Sequence, residues 1–167
     1  MCGLPFSGKS TLSRQISEYL KIPRISFDEV WVEVEVALGK IPGANSIEQW
    51  KYIINVCEQK VVDSLKSGQS VVYDNLGDRF EHRDRVARLA TKNNAESLVI
   101  YLDVTKDEVI SRRQQNLQSQ ERHQVSDENF NQALLVFEPP TDTEKVLAYK
   151  PTMNTKRWLI MCRANMN

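Results

Sequence analysis

Hydrophobic side chains recur every three to four residues in several stretches of this chain, a spacing that predicts helices with one buried face. The stretches are residues 12–20, 50–65, 83–93, 105–115 and 130–137. The helix at 50–65 is the most clearly bounded. Ser46 and Gln49 form a capping box before it, and Gly68 stands where the C-terminal end of a helix favours glycine.

Short apolar runs between these helices predict strands. The runs are residues 24–28, 71–74, 98–102 and 145–149. The segment from Val30 to Val36 places valine at every second residue, so the pattern alone predicts a further strand there. Strands that alternate with helices at these lengths indicate crossover connections, and therefore a parallel sheet with helices covering both faces.

The composition is typical of a globular protein with a single domain, residues 1–167. Hydrophobic residues make up 41% of the chain, and 22 basic residues balance 22 acidic ones, so net charge indicates neither a nucleic-acid nor a membrane partner. No apolar run approaches the ~18 residues of a membrane span. Cys2, Cys57 and Cys162 lack the paired spacing of a zinc site or a disulfide framework. We therefore expect reduced thiols and a cytoplasmic location.

Residues 3–10 read Gly-Leu-Pro-Phe-Ser-Gly-Lys-Ser and match the phosphate-loop pattern G-x-x-x-x-G-K-[ST]. In this pattern main-chain amides surround the phosphates, the lysine neutralises their charge, and the hydroxyl that follows holds magnesium. The helix that starts immediately afterwards adds free amides and partial positive charge. The pattern predicts a site for ATP with magnesium, with contacts from Gly3, Ser7, Gly8, Lys9, Ser10 and Thr11. A glycine loop with only a structural role is the alternative.

Asp28 and Asp74 each close a predicted strand. Ligands of open parallel sheets bind beyond the carboxyl ends of the strands, so both aspartates are expected to point into one cleft. In phosphoryl transfer one aspartate can accept the proton of the attacking hydroxyl, while another orders water around magnesium. The alternative is that each aspartate caps the following helix or turn.

Arginines flank a polar stretch at about residues 112–125, which we interpret as a lid that closes over the triphosphate. Arg113 and Arg122 are the candidates for stabilising charge in the transition state, and Arg112 and His123 lie in or beside the same stretch. The alternative is an ordinary solvated helix face.

Several segments of the chain resemble the small P-loop kinases that include phage-type polynucleotide 5′-kinase, chloramphenicol phosphotransferase and the zeta toxins. The segments are residues 2–11, 26–28, 71–75 and 126–140. The resemblance implies a phosphotransferase with the P-loop containing nucleoside triphosphate hydrolase fold, an α/β fold with a five-stranded parallel sheet. It also implies that Lys9 and Ser10 contact ATP and magnesium. Asp28 is then the candidate base and Asp74 a cleft residue near magnesium or the acceptor, with a lid arginine completing the set.

Two positions depart from the pattern of that group. Phe6 stands where its members usually have glycine, and Trp31 stands where the polynucleotide kinases have arginine, three residues after the aspartate. Losing that arginine removes a natural partner for an acceptor phosphate, so we favour a small or uncharged acceptor over a nucleic-acid end. Trp31 and Trp50 could stack on a base or ring. Aromatic residues at this spacing are more often core, and we favour core for Trp50.

A phosphate loop ordinarily follows an apolar strand, yet only Met1 and Cys2 precede Gly3. An apolar run near the other end of the chain has the character of that strand. We therefore predict that residues 158–161, within the segment 153–162, occupy the central strand position beside the loop. An empty position would leave unpaired amides and carbonyls inside the sheet, which costs more than a disordered tail. A sixth strand or a frayed tail is the alternative.

Two functions fit these features. The first is an ATP-dependent kinase that transfers the γ-phosphate of ATP to a hydroxyl of a small-molecule or nucleotide acceptor. The second is a nucleotide-binding module or regulatory NTPase without an acceptor, which a loop crowded by Phe6 and a displaced first strand would favour. A degenerate open reading frame whose protein product barely folds is a third alternative.

Overall fold

Helices and strands alternate along the chain, as the hydrophobic pattern predicts. The computed structural model describes residues 1–39, 46–75, 77–119 and 125–164. The helices in these ranges are α1 (Lys9–Leu20), α2 (Phe27–Leu38), α3 (Ser46–Lys66), α4 (Phe80–Lys92), α5 (Lys106–Ser119), α6 (Asp127–Val136) and α7 (Thr155–Ala164). The strands are β1 (Arg24–Ser26), β2 (Val72–Asp74), β3 (Val99–Leu102) and β4 (Val146–Tyr149). Among the described helices, none has the length and hydrophobicity needed to cross a membrane.

The boundaries of α3 are those that its local sequence predicts. The helix begins at Ser46 and ends at Lys66. Gly68 follows with φ of 75°, and its amide donates to the carbonyl of Leu65 at 2.9 Å. Glycine adopts this left-handed conformation without the steric cost of a Cβ atom, which is why it ends the helix cleanly.

The segment with valine at every second residue is helical, so the predicted strand there is wrong. Val30 and Val34 are four residues apart and are 2% and 8% exposed, whereas Val32 and Val36 are 58% and 81% exposed. The buried pair packs with apolar side chains of β1 and α3 in one cluster. Two acidic residues in the first turn of α2 also favour a helix, because they complement its dipole. Burial of every fourth residue against neighbouring elements therefore decides for a helix, although valine recurs at every second residue.

The described strands form two parallel pairs, β1 with β2 and β3 with β4. Cys2 lies between the pairs. Its amide donates to the carbonyl of Ile100 at 2.8 Å and its carbonyl accepts from the amide of Leu102 at 2.9 Å, while the nitrogen of Met1 donates to the carbonyl of Tyr73 at 2.9 Å. The parallel α/β architecture is confirmed. Within the described ranges the predicted five-stranded sheet is present only as these two pairs, bridged by Cys2.

The C-terminal segment is the helix α7, so the prediction that residues 158–161 form the central strand is wrong. The main chain of the first two residues already occupies that position, and it is held there by hydrogen bonds to β2 and β3. Trp158, Leu159 and Cys162 follow helical spacing and are 8%, 7% and 7% exposed. The indole Nε1 of Trp158 also donates to the carbonyl of Ala148 at 2.9 Å, which fixes α7 against β4.

The core consists of two hydrophobic clusters. The first contains side chains of α1, β3, α5, α6, β4 and α7, and the second contains side chains of β1, α2 and α3. β2 contributes to both, because Val72 belongs to the first cluster while Val71 and Tyr73 pack against the second. This alternation is typical of a strand that is covered on both faces. The three cysteines are buried and unpaired.

Candidate phosphate-binding site and acceptor cleft

The loop at residues 3–8 leads directly into α1, whose N-terminus lacks a side-chain cap. Gly8 is the N-cap residue, with φ of 103°, and makes no side-chain capping hydrogen bond. The first turn of α1 carries no acidic residue either. Amides in the first turn of a helix have no partner within the helix and carry partial positive charge. This end of α1 is therefore suited to bind an anion such as a polyphosphate.

Gly3 sits where the loop leaves the sheet, and its position excludes a side chain. Its φ is 151°, and an added Cβ would lie 2.9 Å from the Oγ of Ser7 and 3.2 Å from the Cβ of Leu102. Ser7 is fully buried. Close packing against the last residue of β3 thus sets the loop at the carboxyl end of that strand.

Phe6 adopts a left-handed backbone conformation, with φ of 62°. Such a conformation costs a residue with a Cβ atom roughly 1–2 kcal/mol. The phenyl ring packs edge-to-face against Phe130 of α6, with the ring centroids 5.9 Å apart. Aromatic pairs contribute about 0.5–1.5 kcal/mol beyond the burial of their area, so this packing offsets the strain. Where the small P-loop kinases that the sequence resembles usually have glycine, this chain has a ring that links the loop to α6.

The ammonium of Lys9 is folded back over the loop. Its Nζ donates to the carbonyls of Gly3 and Leu4, at 2.8 Å each. Burial lowers the pKa of Lys9, while the negative charges of Asp74, Asp78 and Asp28 act on that pKa in the opposite direction. A buried cation in the loop would gain from an incoming phosphate, because the phosphate supplies the counter-charge that burial removes.

Asp74 closes β2 and lies at the centre of a buried polar network. Its Oδ2 accepts from the Oγ of Ser13 at 2.8 Å and from Nη2 of Arg24 at 2.7 Å. The Nε of Arg24 donates in turn to the Oγ of Ser13 at 2.7 Å. The side chains of Asp74 and Arg24 are only 5% and 8% exposed. This network joins β1, β2 and α1, and the Oγ of Ser13 also donates to the carbonyl of Ser10 in the first turn of α1.

Asp28 lies just beyond the carboxyl end of β1, although as a helix residue. β1 ends at Ser26, two residues earlier than predicted, and α2 starts at Phe27. Ser26 pairs with Asp74 in the β1–β2 register, so both aspartates follow neighbouring strands at one edge. The side chain of Asp28 is exposed, and its charge is among those that act to raise the pKa of Lys9. Asp28 and Asp74 therefore lie at the carboxyl edge of the β1–β2 pair, where Asp74 is buried and Asp28 is exposed, and the role predicted for each stays a prediction.

The two described arginines of the predicted lid, Arg112 and Arg113, lie in different environments. Arg112 contacts the loop, because its Nη1 donates to the carbonyls of Phe6 at 3.2 Å and Ser7 at 3.0 Å, while Nη2 binds Glu108 at 2.6 Å. Arg112 therefore lies closer to the phosphate site than its neighbour does. It comes from α5, which runs past its predicted end to Ser119.

Arg113 is engaged with α6 instead. Its guanidinium donates to the carbonyl of Val125 and to Asp127, and its Cζ lies 4.7 Å from the centre of the Phe130 ring. Arg122 and His123 lie outside the described residues, so the roles predicted for them stay predictions.

Magnesium would find oxygen donors beside the loop. Among the described residues there is no group of three or more histidine, cysteine or carboxylate side chains that could hold a metal. Magnesium bound with a nucleotide does not require such a group, because phosphate oxygens and water provide most of its ligands. Ser10 places a hydroxyl in the first turn of α1, and Asp74 places a buried carboxylate behind the same turn. This set of oxygen donors fits the predicted role of both residues.

Aromatic side chains line the edge of the cleft next to Asp28. The ring of Phe27 lies 5.8 Å from that of Trp31 and 5.7 Å from that of Trp50, and Trp50 lies 6.2 Å from His82. All four side chains are partly exposed. Trp50, for which a core position was favoured, is thus only partly buried. Reasoning from the sequence did not find His82, because one histidine in a polar helix carries no pattern.

The chain matches the AAA domain family over residues 1–140. Comparison with curated proteins yields no match. Among solved structures, a Chloroflexus aurantiacus protein provisionally assigned as a kinase is 20% identical, with a TM-score of 0.73 over 97% of this chain and 91% of its own. Kti12 of Chaetomium thermophilum, solved with ADP-AlF3, is 16% identical, with a TM-score of 0.71 over 99% of this chain and 97% of its own.

The APS kinase CysC of Mycobacterium tuberculosis, in complex with AMPPNP and APS, is 13% identical, with a TM-score of 0.68 over 99% of this chain and 95% of its own. At these identities the likeness shows the fold alone. Since the family match spans most of the sequence, the chain belongs to the AAA domain family and has the fold of the small P-loop kinases.

Proposed function

We propose that this protein is an ATP-dependent phosphotransferase that moves the γ-phosphate of ATP to a hydroxyl group of an acceptor. The observation that carries the proposal is the N-terminus of α1, which has no side-chain cap and is joined to a glycine loop that holds the partly buried ammonium of Lys9. Main-chain amides, the helix dipole and one lysine together provide the positive field that a triphosphate needs.

Asp28 is the proposed acceptor of the hydroxyl proton. In the transfer step the acceptor oxygen forms a bond to the γ-phosphorus, and the bond from that phosphorus to the β–γ bridging oxygen breaks. ADP leaves with the electron pair of that bond, and the hydroxyl proton passes to the carboxylate of Asp28. Two observations support this role: exposure at the start of α2 leaves the carboxylate accessible to an acceptor, and its charge acts on the pKa of Lys9.

Charge that develops on the phosphates is stabilised by the residues of the loop. Lys9 exchanges its loop carbonyl partners for phosphate oxygens, and Arg112 is the described lid arginine best placed to assist, because it contacts the loop carbonyls of Phe6 and Ser7. Arg113 and Arg122 stay as further candidates, although Arg113 would first have to leave Asp127. Magnesium, held by Ser10 and ordered through Asp74, would neutralise phosphate charge when bound.

Two variants separate binding from transfer. Lys9→Ala should lose measurable affinity for ATP with magnesium in isothermal titration, because the buried counter-charge is removed. Asp28→Asn should retain ATP binding and lose transfer of the labelled γ-phosphate to any acceptor. Lys51→Ala and Asp107→Asn, which alter an exposed lysine of α3 and an exposed first-turn carboxylate of α5, are the matched controls. Turnover by Asp28→Asn at the wild-type rate would remove Asp28 as the base.

A nucleotide-binding module or regulatory NTPase is the second candidate. Two observations favour it, the binding of Lys9 to loop carbonyls and the contact of Arg112 with the same loop, since both cations already have partners. Product analysis separates the two functions. A kinase yields ADP and a phosphorylated acceptor, whereas an NTPase yields ADP and free phosphate in equal amounts.

A further inference from the structure

The partly exposed aromatic cluster of Phe27, Trp31, Trp50 and His82, hereafter the ring cluster, is built from three separate elements. Phe27 and Trp31 lie one turn apart on α2, Trp50 comes from α3 and His82 from α4. Successive ring centroids are 5.7 to 6.2 Å apart at tilts of 46° to 53°, which are contact distances for aromatic rings. Because none of these side chains is fully buried, the cluster presents ring surface to the solvent.

The ring cluster stands beside the proposed base. Phe27 immediately precedes Asp28 in the first turn of α2. At its other end, the Nδ1 of His82 lies 2.8 Å from the Oδ1 of Asp78. The negative charges of Asp78 and Asp28 both act to raise the pKa of Lys9, so each end of the cluster carries a carboxylate whose charge acts on the lysine of the loop. Because Phe27 and Asp28 are consecutive residues, a molecule resting on the ring cluster would lie beside the residue that carries the proposed base.

The charges around the ring cluster disfavour an anionic acceptor. Asp28 and Asp78 carry negative charge at its two ends, whereas the neighbouring buried arginines, Arg24 and Arg83, are each paired with carboxylates. An acceptor phosphate would need a free arginine or lysine at this edge. A neutral ring with hydroxyl or N–H donors suits aromatic faces and carboxylate acceptors better.

We propose that the acceptor is a planar heteroaromatic alcohol of nucleoside type, whose ring stacks on the ring cluster while its hydroxyl meets Asp28. This inference rests on the proposed kinase function and narrows its acceptor. Phe27 and Trp50 each contact two other rings of the cluster, and Trp50 is the principal stacking surface because its indole is the larger of the two. The carboxylate of Asp78, held by His82, accepts a hydrogen bond from the base or sugar of the acceptor.

Tryptophan fluorescence and labelled ATP test the proposal on the full chain. The chain has three tryptophans, of which Trp158 is buried in the other hydrophobic cluster. Adenosine, guanosine, cytidine and thymidine are titrated in the presence of a non-hydrolysable ATP analogue. At least one should quench the emission of the wild type and of Trp158→Phe, and should quench Trp50→Phe much less. The same nucleosides, together with gluconate and glycerol, are then offered with γ-labelled ATP.

Kinetics of the stacking variants provide the second readout. Trp50→Ala should raise the KM for the nucleoside about 5- to 100-fold while kcat and the Kd for ATP stay within about twofold. Trp50→Phe should restore most of that loss, because it keeps an aromatic face. Tyr52→Ala, which removes an exposed aromatic side chain two residues further along α3, is the matched control and should leave the KM unchanged.

The outcomes distinguish this inference from the function on which it rests. Labelling of gluconate or glycerol, with no binding or labelling of any nucleoside, overturns the ring-cluster proposal and leaves the kinase function standing. Nucleoside quenching at Trp50 without labelling supports the ring site and overturns the kinase function. Labelling of a nucleoside at an unchanged KM in Trp50→Ala, with the fold confirmed by circular dichroism, overturns the role of the cluster.

Discussion

Replacing Asp74 by asparagine removes the negative charge from the buried network behind the phosphate loop. Arg24 keeps its shape-matched surroundings but loses the charged partner of its Nη2, and both side chains are less than a tenth exposed. Removal of one member of a buried ion pair typically costs 3–5 kcal/mol, because the other charge stays buried without compensation. Arg24 retains Glu29 at 2.6 Å, so we expect the lower end, about 3 kcal/mol.

Urea unfolding followed by circular dichroism measures this loss. For a chain of this size, a loss of 1 kcal/mol in the free energy of unfolding lowers the melting temperature by roughly 2–4 °C. The melting temperature of Asp74→Asn should therefore fall by about 6–12 °C. Glu29→Gln is the matched control, because it removes the other carboxylate of Arg24. The side chain of Glu29 is 52% exposed, and exposed ion pairs contribute only about 0–1 kcal/mol.

The reasoning is refuted if Asp74→Asn unfolds at the same urea concentration as Glu29→Gln, or if both match the wild type. In that case burial would not be the source of the stability of the network. A double-mutant cycle with Ser13→Ala gives an independent measure, since Ser13 shares the Oδ2 of Asp74 with Arg24. The two substitutions should show coupling, as residues of one hydrogen-bonded network do.

Three further substitutions test the loop and the core. Gly3→Ala should weaken ATP binding at least tenfold in isothermal titration, because its Cβ would lie 2.9 Å from the Oγ of Ser7. Trp158→Ala should destabilise the fold by about 3–5 kcal/mol in urea unfolding, as the loss of a buried aromatic side chain does. Arg83 holds the pKa of Glu144 below its usual range, so this pair stabilises the fold fully above about pH 4.3 and less as the pH falls. Glu144→Gln should therefore flatten the decline of melting temperature at acid pH.

Matched controls identify what each of these results would mean. Gly68→Ala also places alanine at a positive φ, but nothing lies within 4 Å of its added Cβ, so it should cost stability without weakening ATP binding. Glu96→Gln removes an exposed carboxylate that pairs with Lys145, and it should leave the acid dependence nearly unchanged. Equal effects of Glu144→Gln and Glu96→Gln would show that burial of the Arg83 pair does not govern the acid response.

Features that depend on neighbouring residues in the chain were predictable from the sequence. The loop at residues 3–10, the helix α3 and the short apolar strands β2, β3 and β4 lie where their local patterns place them. Such patterns are reliable because capping residues, glycine at positive φ and runs of apolar side chains act within one or two turns of the chain. The likeness to the fold of the small P-loop kinases followed from the same local motifs.

The incorrect predictions concern segments whose local sequence is compatible with both a strand and a helix, and packing against distant residues decided between the two. The valines of α2 are compatible with a strand and with a helix, and contact with α3 decides for the helix by burying only every fourth residue. Residues 158–161 are apolar enough for a strand. The central position beside the loop is nevertheless occupied by the main chain of Cys2, which is hydrogen-bonded to Ile100 and Leu102. A single sequence cannot show which segment reaches a given position in a sheet.

The sequence by itself determined that this chain carries the phosphate-loop pattern, because the loop and the helix that follows it are adjacent in the chain. Only the tertiary structure decided which side chains surround it. Arg112 and Arg113 are neighbours in sequence, but the turn of α5 points one toward the loop and the other toward α6. The ring cluster likewise unites residues from α2, α3 and α4, because side chains far apart in sequence meet only when helices pack.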